Sequence, residues 1–511
     1  MLAQLLSPAL RGIESYLVRV EVDLGVGLPG FAVVGLAEGA VREGRERVWS
    51  ALKNSGFSIP PKKITVNLAP ADIRKEGSAL DLPLALGLLA GAGELSARTL
   101  EGSAFAGELG LDGTLRSIRG VLSMAEGCRR EGVRSLVVPK ANGAEGAVVE
   151  GVEILGAATL TEVVLHLRGK RPIQAAVVPA YTLNQTDLRA AGDLSEVRGQ
   201  GRAKRALEVA AAGGHNLLLF GPPGAGKTML ARRLPGILPP LSLQEATETT
   251  RVHSVAGVLP AGHPLVRGRP FRSPHHTVSD AGLVGGGGIP RPGEVSLAHN
   301  GVLFLDELPE YRRNVLEALR QPLEDGTVVL ARARVSLRFP SRFMLVAAMN
   351  PCPCGFYGDG DNRCLCDPAV VVRYRNRVSG PLLDRIDLHV PVGRVPFQEL
   401  SGQGPVGESR TVRARVQDAR SIQRRRFRSL EGVHCNGQMG PGEIRRHCSA
   451  SPEVARLLQR ALDRLGLSAR AYHRILKVAR TVADLDASRE IEPAHVAETI
   501  QYRSMDRASP V

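Results

Sequence analysis

Asn216-Leu217-Leu218-Leu219-Phe220, running into Gly221-Pro222-Pro223-Gly224-Ala225-Gly226-Lys227-Thr228, decides the fold. The first five residues are a short apolar run of the kind that makes a buried parallel strand, and they feed directly into a glycine-rich turn. Glycines there let backbone N–H groups converge on phosphate oxygens, and the helix that follows offers its positive end. In that setting Lys227 reaches the β- and γ-phosphates and Thr228 holds a magnesium ion, so Gly221 to Thr228 is expected to bind ATP with Mg2+.

Two further strand ends complete the pattern. Val302 to Leu305 is apolar and stops at Asp306-Glu307. One acid suits the magnesium shell and the other can orient and polarise an attacking water; two acids that merely opened a surface turn would leave the first motif without its metal partner. Phe343 to Met349 ends at Asn350, whose amide can sit between the other two strand ends. With Gln200 to Ala212 as an initial helix, residues 194–395 read as a doubly wound, nucleotide-binding α/β sheet. Glu408 to Ser429 and Pro452 to Tyr502 have helical periodicity and no strong strand, so residues 396–511 are expected to form a helical lid. Upstream, β-like runs (Tyr16 to Val22, Phe31 to Val34, Ile64 to Leu68) alternate with apolar helical stretches such as Leu80 to Ala90. Residues 1–168 therefore predict a separate α/β or α+β domain, with 169–193 as a linker.

The length of 511 residues suits about three domains. With 43% hydrophobic and 23% charged residues the composition is that of a globular protein, not a disordered chain. The longest apolar stretch, Leu82 to Gly93, is broken by Pro83 and falls short of the ~18 residues a membrane span requires. Met1 to Arg11 lacks the pattern of a secretory signal, and the expected location is the cytoplasm. A formal charge of +15 points to a polyanionic partner such as nucleic acid. A drift toward arginine is the competing explanation, since no lysine occurs between Lys227 and Lys477.

The order of these motifs resembles the AAA+ ATPase superfamily. The insertion Arg269 to Asn300 and the run Gly380-Pro381-Leu382-Leu383-Asp384-Arg385-Ile386-Asp387 are similar to its magnesium-chelatase branch. The resemblance implies that Glu307 is catalytic, Asn350 is sensor 1, Arg385 is a finger on a neighbour's nucleotide and Arg470 is sensor 2 in the lid, with Arg474 as its runner-up. A finger acting in trans requires a head-to-tail interface that closes into a ring, six subunits being the family expectation. An ion pair of Arg385 with Asp384 or Asp387 is the alternative.

In the first domain, Lys75-Glu76-Gly77-Ser78-Ala79-Leu80-Asp81-Leu82-Pro83 and Gly107-Glu108-Leu109-Gly110-Leu111-Asp112-Gly113 resemble the proteolytic domain of Lon proteases. Peptide hydrolysis by that fold needs a serine activated by a lysine. Ala79 stands at the serine position and Met124 at the lysine position, so the domain is expected to be inactive; Ser78, one position away, has no lysine partner that the sequence identifies. Together with Arg272-Ser273-Pro274-His275-His276-Thr277 and Val478-Ala479-Arg480-Thr481-Val482-Ala483-Asp484-Leu485, the whole chain resembles the YifB/ComM family of magnesium-chelatase-like ATPases. That resemblance implies a homo-oligomeric, ATP-driven motor that migrates branched DNA in recombination and natural transformation. A metal-inserting or remodelling motor without a DNA substrate is the alternative.

Two features suit single-stranded or branched DNA. A hairpin from Thr327 through Phe339 would place Arg332 and Arg334 near its tip. The run Arg410, Arg413, Arg415, Arg420, Arg424, Arg425, Arg426 and Arg428 can neutralise phosphates without reading bases, or can be a solvated helix face. Finally, Cys352-Pro353-Cys354 and Cys364-Leu365-Cys366 supply enough ligands for a closed tetrahedral Zn2+ site, although their inner spacing is tighter than the common two-residue gap. Reduced cysteines in a loop are the alternative.

Overall fold

A computed structural model describes residues 2–503, apart from 37–38, 74, 76, 179–191, 261–262, 288–289, 333–334, 359–362, 398, 400–406, 431 and 466–467. The chain divides into two compact units: Met1–Thr182 with Leu243–Val266 and Ala331–Phe339, and Leu183–Ser242 with Arg267–Leu330 and Pro340–Val511.

The first unit is built on a mixed seven-stranded sheet. Its spatial order is Gly30–Val34, Lys63–Ala69, Glu14–Gly25, Leu2–Arg11, Ser103–Phe105, Ser135–Pro139 and Glu153–Ala157. Leu2–Arg11 pairs along its whole length with Glu14–Gly25, from Leu2↔Asp23 to Arg11↔Glu14. The helix Asp81–Gly91 is apolar on every side and entirely buried, as a helix without a polar face must be. Its one charged residue, Asp81, meets Arg47 in a two-pronged pair at 2.9 and 3.2 Å. Met124 lies in the apolar core beside Val121, Leu122 and Ile154, where a thioether offers no base. The Ser78 hydroxyl donates to the Glu108 carboxylate, and buried Lys75 donates to the Pro70 carbonyl.

The sequence reading missed that residues beyond the phosphate-binding loop return to this unit. Helix Leu243–Ala256 docks through Ser254, whose hydroxyl accepts the Gly120 N–H at 2.8 Å and donates to the buried Glu145 carboxylate. Glu145 also accepts from the Leu122 N–H at 2.9 Å, and burial raises its pKa. Arg251 of the same helix pairs with Glu126 at 3.2 Å. The expected linker 169–193 falls mostly outside the described residues; its beginning is tied to an edge strand, with the Ala176 N–H donating to Ile154 O at 2.8 Å.

The second unit holds a five-stranded sheet in the order Phe271–Arg272, Val302–Leu305, Met344–Met349, Leu217–Phe220 and Leu388–Pro391, parallel throughout. Alternation across the strand sends Leu217 and Leu219 to one layer, with helices Gly201–Gly213, Lys227–Ile237 and Glu408–Arg426. Leu218 goes to the other, with Leu303, Leu305 and Leu345. Helices Pro452–Leu465, Ala469–Leu485 and Pro493–Gln501 bury Val454, Leu458, Ile475, Leu476 and Val496 in a cluster of their own. The expected hairpin is present as Thr327–Arg332 paired with Val335–Pro340, its segment Ala331–Phe339 being counted with the first unit. Its turn, with the Arg332 side chain and Arg334, lies outside the described residues.

Candidate nucleotide site

Parallel pairing brings three strand ends together at one edge of the sheet. Phe220 is level with Met349, and Leu305 with Ala347, so the Gly221–Thr228 loop, Asp306 and Asn350 all leave from the carboxyl edge. Thr228 Oγ1 donates to Asp306 Oδ2 at 2.7 Å. Lys227 Nζ donates to the carbonyls of Gly221 and Pro222, both at 2.8 Å, and to Asn350 Oδ1 at 3.1 Å. Burial lowers the Lys227 pKa, and Asp306 opposes the shift. Gly224 and Gly226 have φ of +75° and +88°, and a side chain on either would meet nothing within 4 Å. The loop thus borders open space. Backed by an ammonium and a hydroxyl–carboxylate pair, it fits a magnesium-bound polyphosphate.

Glu307 is held at φ +51°, a left-handed conformation that L-residues adopt at a cost of about 1–2 kcal/mol. The turn is secured by its own N–H donating to Asp306 Oδ1 at 3.0 Å. Its exposed carboxylate lies 3.4 Å from Nδ1 of His276. The His276 ring meets Tyr311 edge-on, and Tyr311 Oη donates to Pro274 O at 2.6 Å. The insertion from Arg269 to Asn300 therefore delivers an imidazole to the second acid, a placement the sequence reading did not assign. Phe271–Arg272 makes this possible by adding an edge strand beside Val302–Leu305.

Arg385 occupies the other edge. It lies three residues before Leu388, which is level with Leu217, while the phosphate-binding loop starts after Phe220. The strand between them spans ~10 Å at about 3.3 Å per residue. The Arg385 guanidinium is largely buried and paired with Glu324, not with Asp384 or Asp387. It also donates to Pro381 O at 2.5 Å, and its Nε has no hydrogen-bond partner among the described residues. Arg470, at the start of a lid helix and exposed, approaches the same Glu324 oxygen at 3.7 Å. Arg474 is directed elsewhere, 3.9 Å from Asp387 and donating to Ile386 O at 3.3 Å.

The arginine run requires a correction. Arg426 is not offered to phosphate: it grips buried Asp484 through two bonds of 2.7 and 2.5 Å and donates to Asn436 at 2.9 Å. Arg413, Arg415 and Arg420 reach Gly236 O, Glu208 and Ala211 O, fastening their helix to its neighbours. Arg424, Arg425 and Arg428 remain exposed.

Next to Asn350, the four cysteines converge, with every pair of sulfurs within 4.8 Å.

A parallel sheet with the glycine-loop strand between the asparagine strand and the last strand, acids on the next one and a helical lid behind defines a magnesium-chelatase-type AAA+ protein. Models for magnesium chelatase subunit ChlI match residues 193–400 and 20–142, and that for its C-terminal part matches 407–503. The chain is 47% identical to competence protein ComM of Haemophilus influenzae, covering 99% of this chain and 98% of that one. It is also 47% identical to the uncharacterized protein YifB of Escherichia coli, over 97% and 96% of the two chains. A 155-residue stretch is 32% identical to Lon protease 2 of Bacillus subtilis, covering 28% of this chain and 27% of that one. The chain belongs to the YifB/ComM family of magnesium-chelatase-like AAA+ ATPases, a membership that implies ATP and Mg2+. Among the described residues, no helix is long and apolar enough to cross a membrane.

Proposed function

We propose that the protein is a ring-forming ATPase that drives DNA, migrating branched junctions as part of recombination or DNA uptake. The observation that carries the motor reading is the placement of Arg385 at the sheet edge opposite its own phosphate-binding loop. An arginine there stabilises transferring phosphoryl charge only on an adjoining subunit. Such an interface is head-to-tail and closes into a ring.

In this reading Lys227 and the loop N–H groups hold the β- and γ-phosphates. Thr228 and Asp306 would hold Mg2+, whose charge would offset that of the phosphate oxygens. Glu307 orients the attacking water and accepts its proton, with His276 beside it. Asn350, already hydrogen-bonded to Lys227, registers the γ-phosphate. Arg470 serves as the lid's sensor, once drawn from Glu324.

DNA as the substrate is supported by the formal charge of +15, by exposed Arg424 and Arg425, and by near full-length similarity to a protein named for competence. Arg332 and Arg334 complete the proposed DNA contacts. The chelatase models support a second reading, a motor acting on protein or metal-insertion partners. The test is the ATPase rate without DNA and with single-stranded, duplex and four-way-junction DNA, alongside branch migration of a synthetic junction. Stimulation and junction movement are expected. ATP hydrolysis indifferent to every DNA at low salt would overturn the DNA reading in favour of the second.

A further inference from the structure

The segment leaving Asn350 is Pro351-Cys352-Pro353-Cys354-Gly355, and the chain comes back to it at Cys364-Leu365-Cys366. Sulfur separations are 3.2 Å for Cys352–Cys354, 3.7 Å for Cys352–Cys364 and 3.6 Å for Cys354–Cys364. Four thiolates at about 2.3 Å from a central zinc form a tetrahedron with edges of about 3.8 Å. Two of the three separations lie close to that edge, and all are far from the ~2.05 Å of a disulfide. The seven cysteines of the chain are all free. Four soft sulfur donors and no hard oxygen among them select zinc over magnesium.

We propose that Cys352, Cys354, Cys364 and Cys366 bind one zinc ion, and that this ion positions Asn350 and the flank of the phosphate-binding loop. Cys352 is fully buried two residues after Asn350, so anchoring its sulfur fixes the end of the asparagine strand. Gly355, at φ +85°, turns back so closely that a Cβ there would lie 2.6 Å from Cδ of Pro223 in the loop itself. The turn is closed by the Gly355 N–H donating to Cys352 O at 3.0 Å. Arg375 holds its start by donating to Pro351 O at 3.1 Å. No regular secondary structure is present from Pro351 to Asp367 among the described residues, so a metal held by the four sulfurs would add a cross-link that strand or helix pairing does not supply there.

The positioning half of the proposal rests on the nucleotide-site reading, whereas metal content does not. The test uses the full chain, purified without chelator, and measures zinc and iron by elemental analysis. Cobalt loading then reports tetrahedral thiolate coordination by its visible and charge-transfer bands. About one zinc per chain is expected. The paired Cys364→Ser and Cys366→Ser chain should lose it, while Cys366→His, which keeps a ligand, should retain it. Loss of zinc should weaken a fluorescent ADP analogue roughly tenfold, about 1.4 kcal/mol, the scale of one displaced hydrogen bond. A parent chain with no zinc, reagent-accessible thiols and no cobalt spectrum overturns the site, as does iron in its place; intact ADP binding then leaves the nucleotide reading standing. Zinc whose loss leaves ADP affinity unchanged in a folded double-serine chain overturns the positioning role.

Discussion

Replacing Arg426 by alanine should destabilise the helical end of the protein far more than replacing either arginine beside it. The Asp484 side chain is fully buried and receives two short bonds from Arg426, whose own side chain is 14% exposed. Breaking a buried pair by removing one partner costs about 3–5 kcal/mol, because the charge left behind is uncompensated. Here Arg480 still holds Asp484 at 3.1 Å and Asn436 donates to it at 2.8 Å, so the low end, ~3 kcal/mol, is expected. The helical end belongs to a compact unit of more than 250 residues, for which that corresponds to a fall in Tm of no more than about 6–12 °C. Arg424→Ala and Arg425→Ala alter exposed side chains and should stay within about 0.5 kcal/mol. Scanning calorimetry of the full chain measures all three, with Arg426→Lys expected to fall between because an ammonium cannot make the paired geometry. DNA binding against salt supplies the opposite ranking. If Arg424 and Arg425 contact phosphate, losing both should reduce the slope of log K against log salt by about 1.4 to 1.8. An Arg426→Ala chain that unfolds like the parent but binds DNA poorly would refute the packing argument.

At the nucleotide site, Lys227→Ala should weaken ATP binding, whereas Glu307→Gln should bind ATP and lose turnover by a factor on the order of 10²–10⁴, read by equilibrium binding and single-turnover hydrolysis. Arg385→Ala should lower turnover by about 10³ or more without preventing nucleotide binding, and mixing it with Glu307→Gln chains should restore some activity at mixed interfaces. No rescue in such mixtures would favour an intrachain role for Arg385. Gly221→Ala puts a methyl 2.0 Å from the Val392 carbonyl oxygen, a backbone atom that cannot step aside, and should abolish nucleotide binding. Gly226→Ala meets open space in the chain itself and should cost folding only the ~1–2 kcal/mol of a left-handed alanine, the first substitution being checked by ADP titration and the second by thermal unfolding.

What the sequence could reveal was what local residues encode. Val302–Leu305 is four apolar residues ended by two acids, so both its strand character and the position of Asp306 are legible. Leu2–Arg11 is rich in leucine and alanine and contains Pro8, and nothing in its periodicity announces a strand; pairing on both sides makes it one. The arginine run is the instructive failure. Charge spacing along a helix does not say which residues have carboxylates and carbonyls waiting across an interface, and Asp484 lies 58 positions from Arg426. The return of Leu243–Ala256 to the first unit was invisible for the same reason, because Ser254 finds its partners at Gly120 and Glu145.

Glu324 links the two arginines to which the proposed mechanism assigns separate duties. In the single chain its carboxylate pairs with Arg385 and lies near Arg470. Glu324 is itself about half exposed, so solvent screens these attractions and each contributes no more than about 1 kcal/mol. A triphosphate carries several oxygens and would be met in a site closed to water, where a charged hydrogen bond contributes about 1.5–3 kcal/mol. The balance therefore favours exchange of Glu324 for phosphate once a neighbour's nucleotide comes within reach. Arg385 has the further incentive of a buried Nε that finds no acceptor among the described residues. Held but weakly held, the two guanidinium groups stay ordered in the isolated chain and remain available to a ring.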